Sequence, residues 1–191
     1  MPAASAPGAP PALRDRIVQI YTVEGPKAYG LYGINQLQHA LQSAAHAEAQ
    51  SLSPAMIIAC LIHDIGHMIH DLGEAPAEEG VDDRHELLGA TWAAEELGPD
   101  VAEPIRLHVD AKRYLCTVEE GYAAGLSKDS QISLALQGGV MNEDQIRTFL
   151  NEPYADDAIT LRRIDELAKD KNATTPPIEH YLDKWLDAAA S

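Results

Sequence analysis

Several classes of protein are excluded by what this chain lacks. Two cysteines, Cys60 and Cys116, are too few for a disulfide framework, so we expect free thiols and a cytoplasmic protein. The sequence has no run of about 18 or more apolar residues, so no membrane span is expected. Basic residues are scarce, since 14 Lys and Arg stand against 30 Asp and Glu and leave a formal net charge of −16. A chain this acidic is expected to repel nucleic acid and anionic membranes unless it carries a local basic patch.

The length of 191 residues predicts one domain with a sizeable core. Residues 1–9, in the Ala- and Pro-rich stretch MPAASAPGAPPALRD, are expected to form a flexible arm, and residues 10–191 the single domain. That stretch lacks the basic region and apolar core of a secretory signal. The sequence leaves the oligomeric state open.

Most of the chain shows the spacing of three or four residues that is typical of amphipathic helices, and few stretches alternate with a period of two. We therefore predict an all-α fold. Two start signals support it, Ser53-Pro54 and the pair of Asn142 with Gln145. Less regular regions are predicted at 71–83 and 137–142. The predicted helices cover 10–23, 34–49, a central helix at 54–70, 84–97, 99–109, a segment after Asn142, 154–170, and a segment after the TTPP at 174–177.

The stretch CLIHDIGHMIH, Cys60 to His70, places metal-capable side chains in an otherwise apolar predicted helix. His63 and His67 are four residues apart and share a helical face, while Asp64 can reach the same site from the edge of that face. The alternative is a set of hydrogen-bonded core residues. Burying three such groups in one apolar helix carries a repeated desolvation cost, which metal ligation offsets. The stretch therefore predicts a metal site.

Further candidate ligands lie elsewhere in the chain. The full candidate set, in chain order, is His39, His63, Asp64, His85, His108 and Asp165. This order resembles the HD-domain superfamily of metal-dependent enzymes in its two-metal form, an α-helical bundle around a dinuclear site. The resemblance implies that Asp64 bridges the two ions. One ion would be served by His39, His63 and Asp165, and the other by His85 and His108. A mixed histidine and carboxylate shell suits iron or manganese rather than a structural zinc.

The residues around these ligands resemble one branch of the superfamily in more detail. The motifs are INQLQHALQSA, HDIGH, HVDAKRYL, LSKDSQISLALQGGVMNEDQ and LRRIDELAK, and the similarity runs from about Tyr29 to Tyr181. They are similar to those of the 2-amino-1-hydroxyethylphosphonate dioxygenases. The resemblance implies a di-iron Fe(II)/Fe(III) oxygenase that uses O2 as co-substrate to cleave the carbon–phosphorus bond of a small organophosphonate.

Carried over position by position, the resemblance implies a substrate pocket as well. Lys112, Ser130 and Arg162 would bind the phosphonate, whose dianionic charge suits the guanidinium fork and the ammonium group. His67 would lie in the same pocket. Tyr29 matches a tyrosine that occupies an iron site before the substrate binds and then swings away.

One position departs from the aminophosphonate enzymes. They have a glutamate for the substrate's primary ammonium where this chain has Tyr32. An aromatic face suits a quaternary ammonium group through cation–π contact, and Asp or Glu within 71–86 could complete such a cage. We therefore expect (1-hydroxy-2-(trimethylammonio)ethyl)phosphonate as substrate, with glycine betaine and phosphate as products. The alternatives are 2-amino-1-hydroxyethylphosphonate giving glycine and phosphate, an HD-type metal-dependent phosphohydrolase, and a non-catalytic ligand sensor.

Overall fold

The computed structural model describes residues 11–27, 33–70 and 80–190, and these residues form helices, turns and irregular segments without a β-strand. The all-α prediction is confirmed. The division into an arm at 1–9 and a single domain stays a prediction, because residues 1–10 lie outside the described ranges. The helices of the described residues are α1 (Leu13–Val23), α2 (Gln36–Ala49), α3 (Pro54–Ile62), α4 (Gly66–Ile69), α5 (His85–Leu97), α6 (Pro99–Val118), α7 (Tyr122–Gly125), α8 (Lys128–Leu136), α9 (Glu143–Leu150), α10 (Ala155–Leu167) and α11 (Ile178–Ala189).

The predicted start signals act as helix caps. The Ser53 side chain accepts a hydrogen bond from the Met56 backbone and Pro54 takes the first helical position of α3. Asn142 and Gln145 form a reciprocal capping box at the start of α9. A second box, which was not predicted, joins Asn35 to Gln38 and begins α2 just before His39.

The prediction of one continuous central helix over 54–70 is wrong. Helix α3 ends at Ile62 and α4 begins at Gly66, and between them the backbone bonds tighten to three-residue spacing, as in His67 N to Asp64 O at 3.0 Å. Just after the break, the backbone of His85 approaches Gly66 so closely that a Cβ there would collide with the His85 carbonyl oxygen. His63 and Asp64 therefore lie on a tight turn and His67 on the short helix α4, rather than all three on one continuous helix.

Two further boundaries differ from the prediction. Helix α6 was expected to end near Val109 but continues to Val118, because Ala111 and Leu115 extend its buried stripe. Helices α7 and α8 were not predicted, and α8 buries no residue fully. A short helix without an apolar face leaves no periodic signal in the sequence.

Helix α3 forms the centre of the fold, since every residue from Met56 to Ile62 is buried. It packs against α2, α6, α10 and α11. The hydroxyl of Tyr21 on α1 donates to the Leu61 carbonyl at 2.9 Å, near the carbonyls that are freed where α3 ends. The turn that carries His63 and Asp64 is thereby held in the interior. Within the described ranges no helix combines the length and the apolarity that crossing a bilayer requires.

Candidate metal centre

The structure brings the six candidate ligands together from five parts of the chain. The turn after α3 supplies two of them, and each of four helices supplies one. In chain order they are His39 on α2, His63 and Asp64 on the turn, His85 at the start of α5, His108 on α6, and Asp165 on α10. All are buried except Asp64, which is half-buried. Residues far apart in sequence thus meet in the interior of the helical bundle.

The ligand atoms of His39, His63 and Asp165 form one compact group, which we call the first half. Nε2 of His39 lies 3.2 Å from Nε2 of His63 and 3.3 Å from Oδ1 of Asp165. Asp64 closes the group, with Oδ1 at 3.4 Å from Nε2 of His63 and Oδ2 at 3.6 Å from Nε2 of His39. Donor atoms from all three members converge on one small volume.

A second half lies on the other side of Asp64 and contains His85 and His108. Their Nε2 atoms are 3.2 Å apart. Oδ1 of Asp64 lies 3.8 Å from Nε2 of His85 and 3.9 Å from Nε2 of His108. Asp64 therefore faces both imidazole pairs, which is the placement that a bridging carboxylate needs.

The orientation of each imidazole is fixed through its other nitrogen. Nδ1 of His39 faces the Ala168 carbonyl at 2.8 Å, just past the end of α10. Nδ1 of His63 and of His108 face carbonyls three residues earlier in their own segments, at 2.9 Å and 2.7 Å. Nδ1 of His85 faces Oδ1 of Asp83 at 3.0 Å. An imidazole held in this way by its Nδ1–H is the usual arrangement of a metal-binding histidine.

These contacts test whether the residues fit a metal ion. A neutral imidazole that donates from Nδ1 has a lone pair on Nε2. In each of two histidine pairs, His39 with His63 and His85 with His108, the two Nε2 atoms face each other at 3.2 Å. Two lone pairs at this distance repel each other unless a positive charge lies between them. Two carboxylates stand beside them, so the donor set is that of a borderline or hard divalent ion. The residues fit a metal centre.

The pKa shifts differ between the two histidines of each pair, so a proton on His39 and on His85 can occupy the place that an ion would take. Burial lowers the pKa of His63 and the pKa of His108, and neighbouring histidines lower them further. Burial also opposes protonation of His39 and His85, but the nearby carboxylates outweigh it and raise the pKa of each. Despite its burial, the pKa of Asp64 is lowered by the surrounding imidazoles, so the carboxylate is held ionised.

A cationic group of side chains borders the first half. Arg162 and Lys112 are each only 3% exposed, which is rare for such residues. Nη2 of Arg162 lies 3.4 Å from the Ser130 hydroxyl, so these two residues are neighbours, and their role in binding a phosphonate stays a prediction. Lys112, however, donates to Ser133 at 2.9 Å rather than to Ser130. Burial and the positive charge of Arg162 lower the pKa of Lys112 to about 7.

Several partners of these groups were not predicted from the sequence. Arg162 pairs with the predicted ligand Asp165 and with Glu166, and its Nε donates to the Tyr122 hydroxyl at 3.2 Å. Lys169 lies 3.1 Å from Glu166. Spacings of three and four residues from Arg162 on α10 would have indicated both carboxylates, whereas Tyr122 comes from the unpredicted helix α7.

His67 lies beside the second half, and its assignment to the substrate pocket stays a prediction. Its ring stacks on that of His85 with centroids 3.9 Å apart and planes 20° from parallel. Its Nδ1 lies 2.5 Å from Oδ2 of Asp83, a residue that was predicted only as one of the acidic groups within 71–86. Tyr29 and Tyr32 lie outside the described residues, so the lid and the cation contact stay predictions.

The helical fold and this histidine and aspartate cluster are those of a metal-dependent enzyme family, which comparison with known proteins identifies. The HD-domain family model matches residues 37–170, and the chain belongs to the HD-domain family. A hydroxymethylphosphonate dioxygenase from Gimesia maris is 38% identical over 170 residues, which cover 87% of this chain and 85% of the relative. A glycine-betaine-forming [1-hydroxy-2-(trimethylamino)ethyl]phosphonate dioxygenase from Leisingera caerulea is 32% identical over 162 residues, 85% of this chain and 83% of the relative. These relatives confirm the resemblance that the motifs indicated and the prediction that the chain is an enzyme.

Proposed function

We propose that this protein cleaves the carbon–phosphorus bond of a 1-hydroxyphosphonate in a reaction that consumes O2. The observation that supports the proposal most directly is that two groups of side chains meet at α10. One is the cluster of imidazoles around Asp64, and the other is the buried cationic group of Arg162 and Lys112. Asp165 joins them, since it faces His39 on one side and Arg162 on the other.

Two iron ions, as Fe(II) and Fe(III), are the metals that we assign to the cluster. His39, His63 and Asp165 would hold one ion, His85 and His108 the other, and Asp64 would bridge them. Such a pair, when bound, supplies activation of O2 and oxidation of the carbon next to phosphorus. The Nδ1 contacts of these imidazoles hold each ring with Nε2 turned toward the place of an ion.

Recognition of the phosphonate falls to the cationic group. Arg162 provides a fork of donors that matches an oxyanion, and Lys112 provides a compact second charge. Both are fixed by partners before substrate binds, Arg162 by Asp165 and Glu166 and Lys112 by Ser133. Fixing the charged groups beforehand reduces the reorganisation that binding requires.

The overall reaction balances with one O2 for each bond cleaved. A 1-hydroxyphosphonate R–CH(OH)–PO3H2 and O2 give the carboxylic acid R–COOH and phosphoric acid. The carbon–phosphorus bond breaks, the carbon is oxidised and O2 is reduced. Burial of the cluster excludes water that would divert a reactive intermediate.

Two substrates are candidates, each favoured by a different observation. The aromatic residue Tyr32 favours the trimethylammonio substrate, and the relative from Leisingera caerulea carries that substrate in its name. The higher identity of 38% to the Gimesia maris protein favours hydroxymethylphosphonate, with formate as the expected product. No observation on the described residues favours the 2-amino substrate, a phosphate ester or a sensor role.

The test is phosphate release by iron-loaded protein, in air and under argon, from each of the three hydroxyphosphonates and from a generic phosphate monoester. The expected result is oxygen-dependent release, with one phosphate formed for each O2 consumed, from the trimethylammonio or the hydroxymethyl compound. Release from the monoester under argon would identify a phosphohydrolase. Tight binding without turnover in any condition would identify a sensor.

A further inference from the structure

Asp83 joins the metal cluster to the substrate pocket through its two carboxylate oxygens. Oδ1 lies 3.0 Å from Nδ1 of His85, and Oδ2 lies 2.5 Å from Nδ1 of His67. Nε2 of His70 is a third neighbour, 3.4 Å from Oδ2. The carboxylate is only 7% exposed, so water competes little for these contacts.

The two imidazoles that share Asp83 are held in parallel. Their rings stack at 3.9 Å, and both turn Nδ1 toward the same carboxylate. Their Nε2 atoms therefore point away from Asp83, and donor atoms of His67 and His85 lie within 4.8 Å of one another and of a carboxylate oxygen of Asp64. A carboxylate accepts but cannot donate, so both Nδ1 atoms carry a proton, and in the neutral form of each imidazole the lone pair is on Nε2.

The backbone beside Asp83 is built to hold this arrangement. Arg84, between Asp83 and His85, has a φ of +49°, a left-handed conformation that costs free energy for a residue with a side chain. Oδ1 of Asp83 also accepts a hydrogen bond from the His85 backbone at 3.3 Å. Such strain persists where the surroundings over-determine the conformation.

We propose that Asp83 is a positioning residue of the metal centre, which holds His85 in the tautomer that can bind a metal ion and aligns His67 beside it. This inference rests on the proposed function, because it assumes that the second half binds an ion. An amide at this position has one acceptor and one donor. In Asp83→Asn one of the two histidines would face the amide NH2, move its proton to Nε2 and lose its lone pair.

The test counts Co(II) ions bound by the whole chain, by equilibrium dialysis and metal analysis without substrate or iron. Wild type is expected to bind two ions, and Asp83→Asn to bind the first normally and the second roughly 10- to 100-fold more weakly. Glu86→Gln is the matched control. It removes a carboxylate whose Oε2 lies 3.8 Å from Nδ1 of the same His85, beyond hydrogen-bond distance, and wild-type binding is expected.

Each of the other possible results contradicts one specific claim. Unchanged binding of both ions by Asp83→Asn would overturn the positioning role and leave the proposed function intact. Three ions in wild type and two in Asp83→Asn would make Asp83 itself a ligand, shared with His67 and His70. Failure of wild type to bind Co(II) would instead contradict the metal centre of the proposed function. If Asp83→Asn does not fold, Asp83→Glu replaces it in the test. Its longer carboxylate cannot keep both contacts, so the second ion is expected to bind more weakly. Wild-type binding by Asp83→Glu would overturn the positioning role.

Discussion

The two halves of the candidate metal centre face the same carboxylate but are held in different ways. In the first half, His39 and His63 are oriented by backbone carbonyls, and Asp165 is anchored by Arg162 on the adjacent turn of α10. In the second half, His108 also uses a carbonyl of its own helix. His85 depends instead on the side chain of Asp83.

This difference shows where the centre is sensitive to substitution. A backbone carbonyl within a helical scaffold cannot be removed by changing one side chain, so the orientation of His39 and His63 is protected by the fold. The second half depends on a residue that precedes α5 and on a close approach of two backbone segments at Gly66 and His85. We expect substitutions outside the ligand set to disturb the second half first.

The largest effect is expected from removing the group that both halves share. Asp64→Ala is predicted to lose both ions and all detectable activity, because the ionised carboxylate faces all four imidazoles of the cluster. Metal content and phosphate release measure both losses. Asp156→Ala, an exposed carboxylate on α10, is the control and is expected to behave as wild type. Wild-type metal content in Asp64→Ala would remove the basis for treating the halves as one centre.

A substitution outside both halves separates metal binding from substrate binding. Lys112→Met is expected to raise the KM for the phosphonate by roughly 10- to 100-fold, since a charge-assisted hydrogen bond contributes about 1.5–3 kcal/mol. Metal content is expected to be unchanged, and unfolding stability unchanged or higher, because the buried charge and its desolvation cost are removed. Lys128→Met, at an exposed lysine, is the control. An unchanged KM would exclude Lys112 from the pocket.

The close approach at Gly66 offers a test directed at the second half. In Gly66→Ala the new Cβ would collide with the His85 carbonyl oxygen, so the backbone of one segment must shift. We expect a loss of about 1–3 kcal/mol in the free energy of unfolding, together with weaker binding of the second ion only. Gly125→Ala is the matched control, since nothing lies within 4 Å of its Cβ position. Equal effects of the two substitutions would argue against this packing constraint.

The smallest effect is expected far from the centre, where Glu48 links α2 to α11. Its carboxylate accepts hydrogen bonds from Lys184 and Trp185, each at 2.9 Å. The Lys184 hydrogen bond, acting against burial, lowers the pKa of Glu48 from its usual 4.5 to about 2. A carboxyl group whose pKa is lower in the folded than in the unfolded state stabilises the fold at pH values above its unfolded-state pKa. This stabilisation is lost as the pH falls from about 4.5 toward about 2.

Glu48→Gln is therefore expected to lower the free energy of unfolding by about 1 kcal/mol at neutral pH. The difference from wild type is expected to shrink as the pH falls from about 4.5 and to vanish below about pH 2, where Glu48 is protonated in both the folded and the unfolded states. Urea unfolding of the two proteins across this pH range measures it. Metal binding by both halves is expected to stay as in wild type, and a pH-independent difference would show that the carboxylate charge is not the cause.

Helical spacing was enough to predict the all-α fold, and the resemblance to the HD-domain superfamily supplied the six residues that converge. Neither predicted the break after Ile62, because the apolar run continues through it and the close contact of Gly66 with His85 is not visible in a local pattern. The sequence around His85 shows Asp82, Asp83 and Glu86 together and does not indicate which one meets the imidazole. Likewise Ser130 and Ser133 both lie on α8, and only the folded chain pairs Lys112 with Ser133.

The number of ions that each half binds tests the two-half centre most directly. We would measure the iron bound per chain in wild type, in His39→Ala and in His108→Ala by equilibrium dialysis under argon. We predict two ions in wild type and one in each variant, because each substitution removes a ligand from one half and leaves Asp64 with the other. A single ion in wild type, or the loss of both ions in either variant, would contradict the two-half centre.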